Sequence, residues 1–141
     1  MKKFAKSLLV LALAGLMMLS MVSCGDKSGS IKKAFEKEEY TVTTVDSTND
    51  VVKGILSVVL SKEQMEEIAE YEIILCTKGF ASAAVVKFPS AGELKDFLTV
   101  EDKDGNKNTD MYDKAKEDGT INGNCLIFTL SSSAVEIFKK A

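Results

Sequence analysis

Three sets of side chains in this sequence have the types and spacing to do chemistry. The first is the run Asp102-Lys103-Asp104-Gly105-Asn106-Lys107-Asn108-Thr109-Asp110. Counted from Asp102, oxygen-bearing side chains stand at positions 1, 3, 5 and 9 (Asp102, Asp104, Asn106 and Asp110), the alternation a calcium loop uses to wrap a hard cation. Lys107 holds the sixth position, where such a loop needs Gly, and Asp113 the twelfth, where it needs a bidentate Glu. Putting Gly105 sixth moves the first ligand to Val100. A cation site on Asp102, Asp104, Asn106 and Asp110 therefore stands beside a simpler reading, a Gly/Asn turn with solvated charges.

The second set is Glu63, Glu66, Glu67 and Glu70, one stripe of a helix. It reads as a solvated face, because like charges four residues apart repel by a few tenths of a kcal/mol, roughly, and nothing in the sequence buries them. The third set is Cys24, Cys76 and Cys125.

What is missing excludes more. The chain of 141 residues has no His, Arg or Trp. That removes Ser-His-Asp and Cys-His nucleophile pairs and His-based zinc sites. It also removes the guanidinium fork that grips phosphate or carboxylate. Residues 1–23 hold three lysines and no acid, so residues 24–141 carry 15 lysines against 21 acids, a net −6. Such a domain repels nucleic acid. Carboxylates, Lys, Ser/Thr, Tyr and Cys remain for chemistry but form no recognisable catalytic set. An enzyme is therefore the weakest reading, and the chain is expected not to be one and to need no cofactor.

The elements that would position these groups follow from periodicity. Ile31, Ala34 and Phe35 place a short helix at 31–39, and Tyr40 to Asp46 reads as a strand. Val51, Val52, Ile55, Leu56 and Val59 share a helical face. Capping boxes open helices at Ser61, Ser90 and Ser133, each with Glu or Gln three residues on. Strands are predicted at Glu72–Thr77 and Ala81–Phe88, joined by a hairpin at Lys78-Gly79, and at Cys125–Leu130. The predicted fold class is α+β: a ferredoxin-like βαββαβ core with one mainly antiparallel four-stranded sheet, flanked by N- and C-terminal helices.

In that topology the first and third strands are central. Cys76 and Cys125 then fall on opposite edges, some 14 Å apart at about 4.8 Å per strand. A disulfide needs Cα atoms within about 7 Å, so both are expected as buried free thiols. One sheet face would present Val86, Phe88, Leu126, Phe128 and Leu130 to helices; the other holds Val85, Cys125 and Ile127, to be covered by the terminal helices or by a partner. Residues 99–124 form a long polar connection with a turn or two of helix at Asp110–Glu117, of the kind that is functional or mobile.

The N-terminal 23 residues are foreign to the rest. A basic start at Lys2, Lys3 and Lys6 leads into the apolar run Leu8–Val22. At 15 residues that run falls short of the ~20 needed to cross hydrocarbon, and it reads as a secretory signal peptide. The junction Met21-Val22-Ser23-Cys24-Gly25 resembles the lipobox of bacterial lipoproteins. That resemblance implies a diacylglycerol thioether on Cys24 and no further cofactor. It places the chain on the outer, extracytoplasmic face of the cell membrane, lipid-anchored. Residues 24–30 would be a short linker and 31–141 one globular domain.

Stretches such as YEIILCTKG (71–79), VKFPS (86–90), VEDKDGNKN (100–108) and NGNC (122–125) are similar to those of small lipoproteins of unknown function from Gram-positive anaerobic bacteria. The resemblance implies an export route and a fold and brings no activity. The expected function is a non-catalytic binding module at the cell envelope, with the membrane and an envelope protein as partners. The alternative is a ligand- or cation-binding accessory domain that uses the 99–124 loop.

Overall fold

Alternation along two adjacent strands sends Ile74, Cys76, Ala83 and Val85 to one side of a sheet and Ile73, Ala84 and Val86 to the other. A sheet apolar on both faces must bury both, so helices are required on each side. The computed structural model, which describes residues 26–141, has that layered form. The signal peptide expected at residues 1–23, and the expected lipid attachment point Cys24, lie outside the described residues.

The elements in chain order are α1 (Ser28–Lys37), β1 (Thr41–Val45), α2 (Asp50–Leu56), α3 (Lys62–Glu67), β2 (Ile73–Lys78), β3 (Ala81–Lys87) and α4 (Ala91–Phe97), then β4 (Val100–Glu101), β5 (Lys107–Asn108), α5 (Asp110–Asp118), β6 (Ile121–Asn122), β7 (Cys125–Thr129) and α6 (Ser132–Lys140). The main sheet has five antiparallel strands in the order β1-β2-β3-β7-β6, and β4 and β5 form a separate two-stranded ribbon. The class is mixed α+β with a mainly antiparallel sheet.

The strand order differs from the ferredoxin-like expectation: β1 is an edge, and β2 and β3 are interior. The reason lies between β1 and β2. One crossover helix would bring the chain back to the end where β1 began and set the strands parallel. Here Asn49 caps α2 and Ser61 opens α3 with a complete capping box. The chain thus runs the length of the sheet twice, out along α2 and back along α3. It re-enters with Ile73 opposite Val45, antiparallel to β1.

Helices α1 and α6 cover the face that holds Ile74, Cys76, Val85, Cys125 and Ile127, through Ile31, Phe35, Ala134 and Phe138. The terminal helices, and not a partner, cover it. On the other face Val52 and Leu56 of α2, Ile68, and Leu94 and Phe97 of α4 pack on Ile73, Val86 and Leu126. Phe88 ties that layer together, with its ring 5.2 Å from Tyr71 and 5.1 Å from Phe97. Burying each such aromatic contributes about 1.5–3 kcal/mol by the area rule. Leu130, expected on this face, instead lies outside the sheet and is fully exposed.

Two boundaries shift for local reasons. The cap of α6 is Ser131, whose Oγ accepts from Ala134 N at 3.2 Å, and not Ser133. Three serines in a row compete for that role, and Thr129 Oγ1, accepting from Ser131 N at 3.0 Å, favours the first. The 99–124 connection is an ordered hairpin, helix and edge strand. Gly119 closes α5 in the left-handed conformation at φ 79°, and Asn122 Nδ2 donates to the carbonyls of Phe138 in α6 (2.9 Å) and of Ala141 just after it (3.3 Å).

Candidate functional site

The described residues leave seven large apolar side chains exposed, and five of them surround one groove: Val51, Val58, Val59, Phe80 and Leu130. Each is placed by a local rule. Gly79 and Phe80 form the two-residue loop between β2 and β3, since Lys78 pairs with Ala81. Gly79 takes φ 62° while Phe80 does not have positive φ, the arrangement of a II′ turn. Nothing in that turn requires an aromatic ring, yet Phe80 projects from it 109% exposed. Val58 and Val59 occupy the break between α2 and α3 that the Ser61 cap enforces. Leu130 sits at the corner between β7 and α6, 107% exposed.

The groove between these corners measures about 730 Å³, and no charged side chain lines it. Of the three hydroxyl side chains in its lining, those of Thr129 and Ser131 are engaged within the wall. Thr129 Oγ1 donates to Ser82 O at 2.7 Å and accepts from Ser131 N, and Ser131 Oγ caps α6. What remains for an occupant is mainly apolar surface, with the Ser82 hydroxyl among it, of the kind that marks interaction sites on protein domains. An uncharged groove also favours uncharged occupants, because a desolvated charge there would have no partner.

The side chains singled out in the sequence lie elsewhere. Asp102, Asp104, Asn106 and Asp110 sit on and beside the β4–β5 ribbon, all exposed. Asp102 Oδ1 accepts from its own loop, from Asp104 N and Asn106 N at 2.9 Å each, and Asn108 Oδ1 accepts from Asp110 N at 2.8 Å. The bond from Asn106 N leads the effects that hold the Asp102 carboxyl below its ordinary value. Of the four candidate ligands, Asp102 thus has one carboxylate oxygen turned onto the backbone of its own loop. Asp102, Asn106 and Asp110 do border a shallow cleft of about 450 Å³, but Asp104 does not. Among the described residues, no three His, Cys, Asp or Glu side chains come together to hold a metal ion.

Glu63, Glu66, Glu67 and Glu70 are all exposed on α3 and its C-terminal turn. Cys76 and Cys125 are buried and unbonded. They lie not on opposite edges but on the two strands flanking β3, both facing α1 and α6. Cys76 pairs with Ala83 and Cys125 with Lys87. Two strand spacings and four residue steps separate them by roughly 16 Å. Burial pushes both thiols up to about 12, which removes the thiolate that any nucleophilic role would need.

Phe80, Leu130, Val58 and Val59 were not singled out from the sequence. The available signal was Lys78-Gly79-Phe80-Ala81, where a large aromatic fills the tip of a tight hairpin usually given to small polar residues. The molecule is thus a mixed α+β domain with an antiparallel sheet between two helical layers and an uncharged groove at one end. No family model matches the chain, and neither a curated protein nor a solved structure does.

Proposed function

We propose that this chain is a lipoprotein held by a diacylglycerol thioether on Cys24 at the outer face of a cell membrane. There its domain acts as a non-catalytic binding module, taking an uncharged apolar segment of an envelope protein into the groove beside Phe80 and Leu130. The observation that carries the binding part is the gathering of five exposed apolar side chains around one groove without charge. The anchoring part rests on the sequence: a basic start, a short apolar run, and Ser23-Cys24 at its end. No helix among the described residues is long and apolar enough to cross a membrane. Two chains give durable attachment where one is marginal, at about 0.8 kcal/mol per buried methylene.

Two measurements test it. Labelled palmitate should enter the wild-type protein and not Cys24→Ala, and Cys24→Ala should leave the membrane fraction. The domain should bind Nile red, an uncharged apolar dye, and Phe80→Asp with Leu130→Asp should abolish that binding while leaving stability within about 0.5 kcal/mol, as for other fully exposed positions. Membrane retention of Cys24→Ala at unchanged mobility would refute the anchor, and undiminished dye binding by the double variant would refute the groove.

A further inference from the structure

The residues immediately after Cys24 are not a free tether. Asp26 accepts from Ser28 N at 2.9 Å and from Ser28 Oγ at 2.7 Å, and forms an ion pair with Lys87 Nζ at 3.2 Å. Lys27 N donates at 3.0 Å to Oδ1 of Asn124, a side chain only 2% exposed, whose Nδ2 in turn donates to Phe88 O at 2.8 Å. Ile31 N then donates to Lys27 O, and α1 begins at Ser28, itself buried. The turn beneath is shaped for this contact. Gly123 has φ 62°, and a Cβ built there would run into Lys27 Cγ. A side chain at position 123 would strain the backbone and push against the Lys27 side chain. The stretch expected as linker is therefore part of the fold from Asp26 onward.

This fixes geometry. Only two residue steps separate Cys24 from Asp26, about 7 Å when fully extended. The contacts of Asp26 and Lys27 are with Lys87, at the end of β3, and Asn124, just before β7. The groove lies at the other end of the same strands, at Ala81–Ser82 and Thr129–Leu130. Six residue steps separate the two ends along each strand, about 20 Å.

Resting on the reading that Cys24 is acylated, we propose that the end of the domain formed by Asp26, Lys87 and the Gly123–Asn124 turn is held against the bilayer, so that the Phe80–Leu130 groove opens away from the membrane. The bilayer is the partner of the first end. The groove cannot fold down onto lipid, because 7 Å of chain does not allow the domain to turn over a sheet about 20 Å long. Its occupant is then a protein segment reaching in from the envelope, not a lipid of the anchoring membrane.

The test uses the full acylated protein in phosphatidylcholine/phosphatidylglycerol vesicles. One fluorophore is placed through Gly29→Cys, where a side chain meets nothing within 4 Å, and another through Phe80→Cys at the groove. The buried native thiols do not compete for label. Lipids with a nitroxide on the headgroup should quench the label at 29 several-fold more than the label at 80. A flexible Gly/Ser insert of about 15 residues between Gly25 and Asp26, spanning some 20 Å on average, should erase that difference and leave the fold unchanged. Equal or reversed quenching in protein that floats with the vesicles overturns the orientation and spares the anchor. Failure to float overturns the anchor, and the orientation with it.

Discussion

Replacing Asn124 by Ala removes one side chain that serves two segments far apart in the sequence. Its Oδ1 receives the Lys27 N–H, and its Nδ2 reaches the carbonyl of Phe88, which lies 1% exposed at the end of β3. The Phe88 carbonyl has no route to water, so losing its donor costs the desolvation of a buried acceptor, about 1–3 kcal/mol. The Lys27 N–H is half-buried and water can partly replace its partner, which puts that loss near 1 kcal/mol. Together the substitution should destabilise the domain by about 2–4 kcal/mol, a large part of the 5–15 kcal/mol that typical domains possess. At about 4 °C per kcal/mol for a domain of this size, the midpoint should fall by roughly 8–16 °C. Urea denaturation followed by circular dichroism gives the number directly. Asn124→Asp separates the two bonds, since it can keep the one from Lys27 N but sets a carboxylate oxygen against the Phe88 carbonyl. Protonation relieves that clash, so the folded state raises the carboxyl's pKa. The destabilisation of Asn124→Asp should therefore grow as pH climbs above about 4 and shrink below it. A loss under about 0.5 kcal/mol for Asn124→Ala would refute the reasoning, because it would mean that neither bond matters to the folded state.

The α6 cap separates two serines: Ser131→Ala should cost about 1 kcal/mol and Ser133→Ala close to nothing, and a reversed order in parallel denaturation curves would return the cap to Ser133. Cys76 and Cys125, with thiols pushed up to about 12, should resist iodoacetamide at pH 8 in the native state and take up two labels in urea, read by intact mass; rapid native labelling would contradict their burial. For Asp26, burial acts to raise the carboxyl, but the Ser28 hydrogen bonds and Lys87 outweigh it and the net shift is downward. Its contribution is therefore complete above the unfolded carboxylate pKa and lost as pH falls through the folded one. The stability gap between wild type and Asp26→Asn should be present at pH 7 and close towards pH 2, and a gap that widens in acid would show the sign to be wrong.

Much of the architecture was readable because it is written locally. Apolar spacing located α1, α2 and all the long strands, Ser61 and Ser90 marked helix starts, and Gly79 marked a hairpin. The strand order was not readable, because it turns on whether the residues after Val51 make one crossing of the sheet or two. That depends on how Val52 and Leu56 of α2, and Ile68 just after α3, join the cluster of Ile73 and Val86, a meeting that no local pattern encodes. The segment 26–30 looked like a linker for the same reason. Its composition of Asp, Lys, Ser and Gly gives no sign of Asn124, nearly a hundred residues later, waiting to receive it. The candidate groove was the least readable part. Its residues come from three separate corners, and only their meeting makes a surface.

One layer of this fold has a consequence for timing. The face covered by α1 and α6 is closed by Ile31 and Phe35 of α1 and by Ala134 and Phe138 of α6, about a hundred residues later. A chain that emerges from its N-terminal end can lay out strands early, yet that core stays open until Phe138 has arrived. Such a polypeptide keeps this layer loose while everything between the two helices is laid down, and it locks shut only once α6 has come back onto α1.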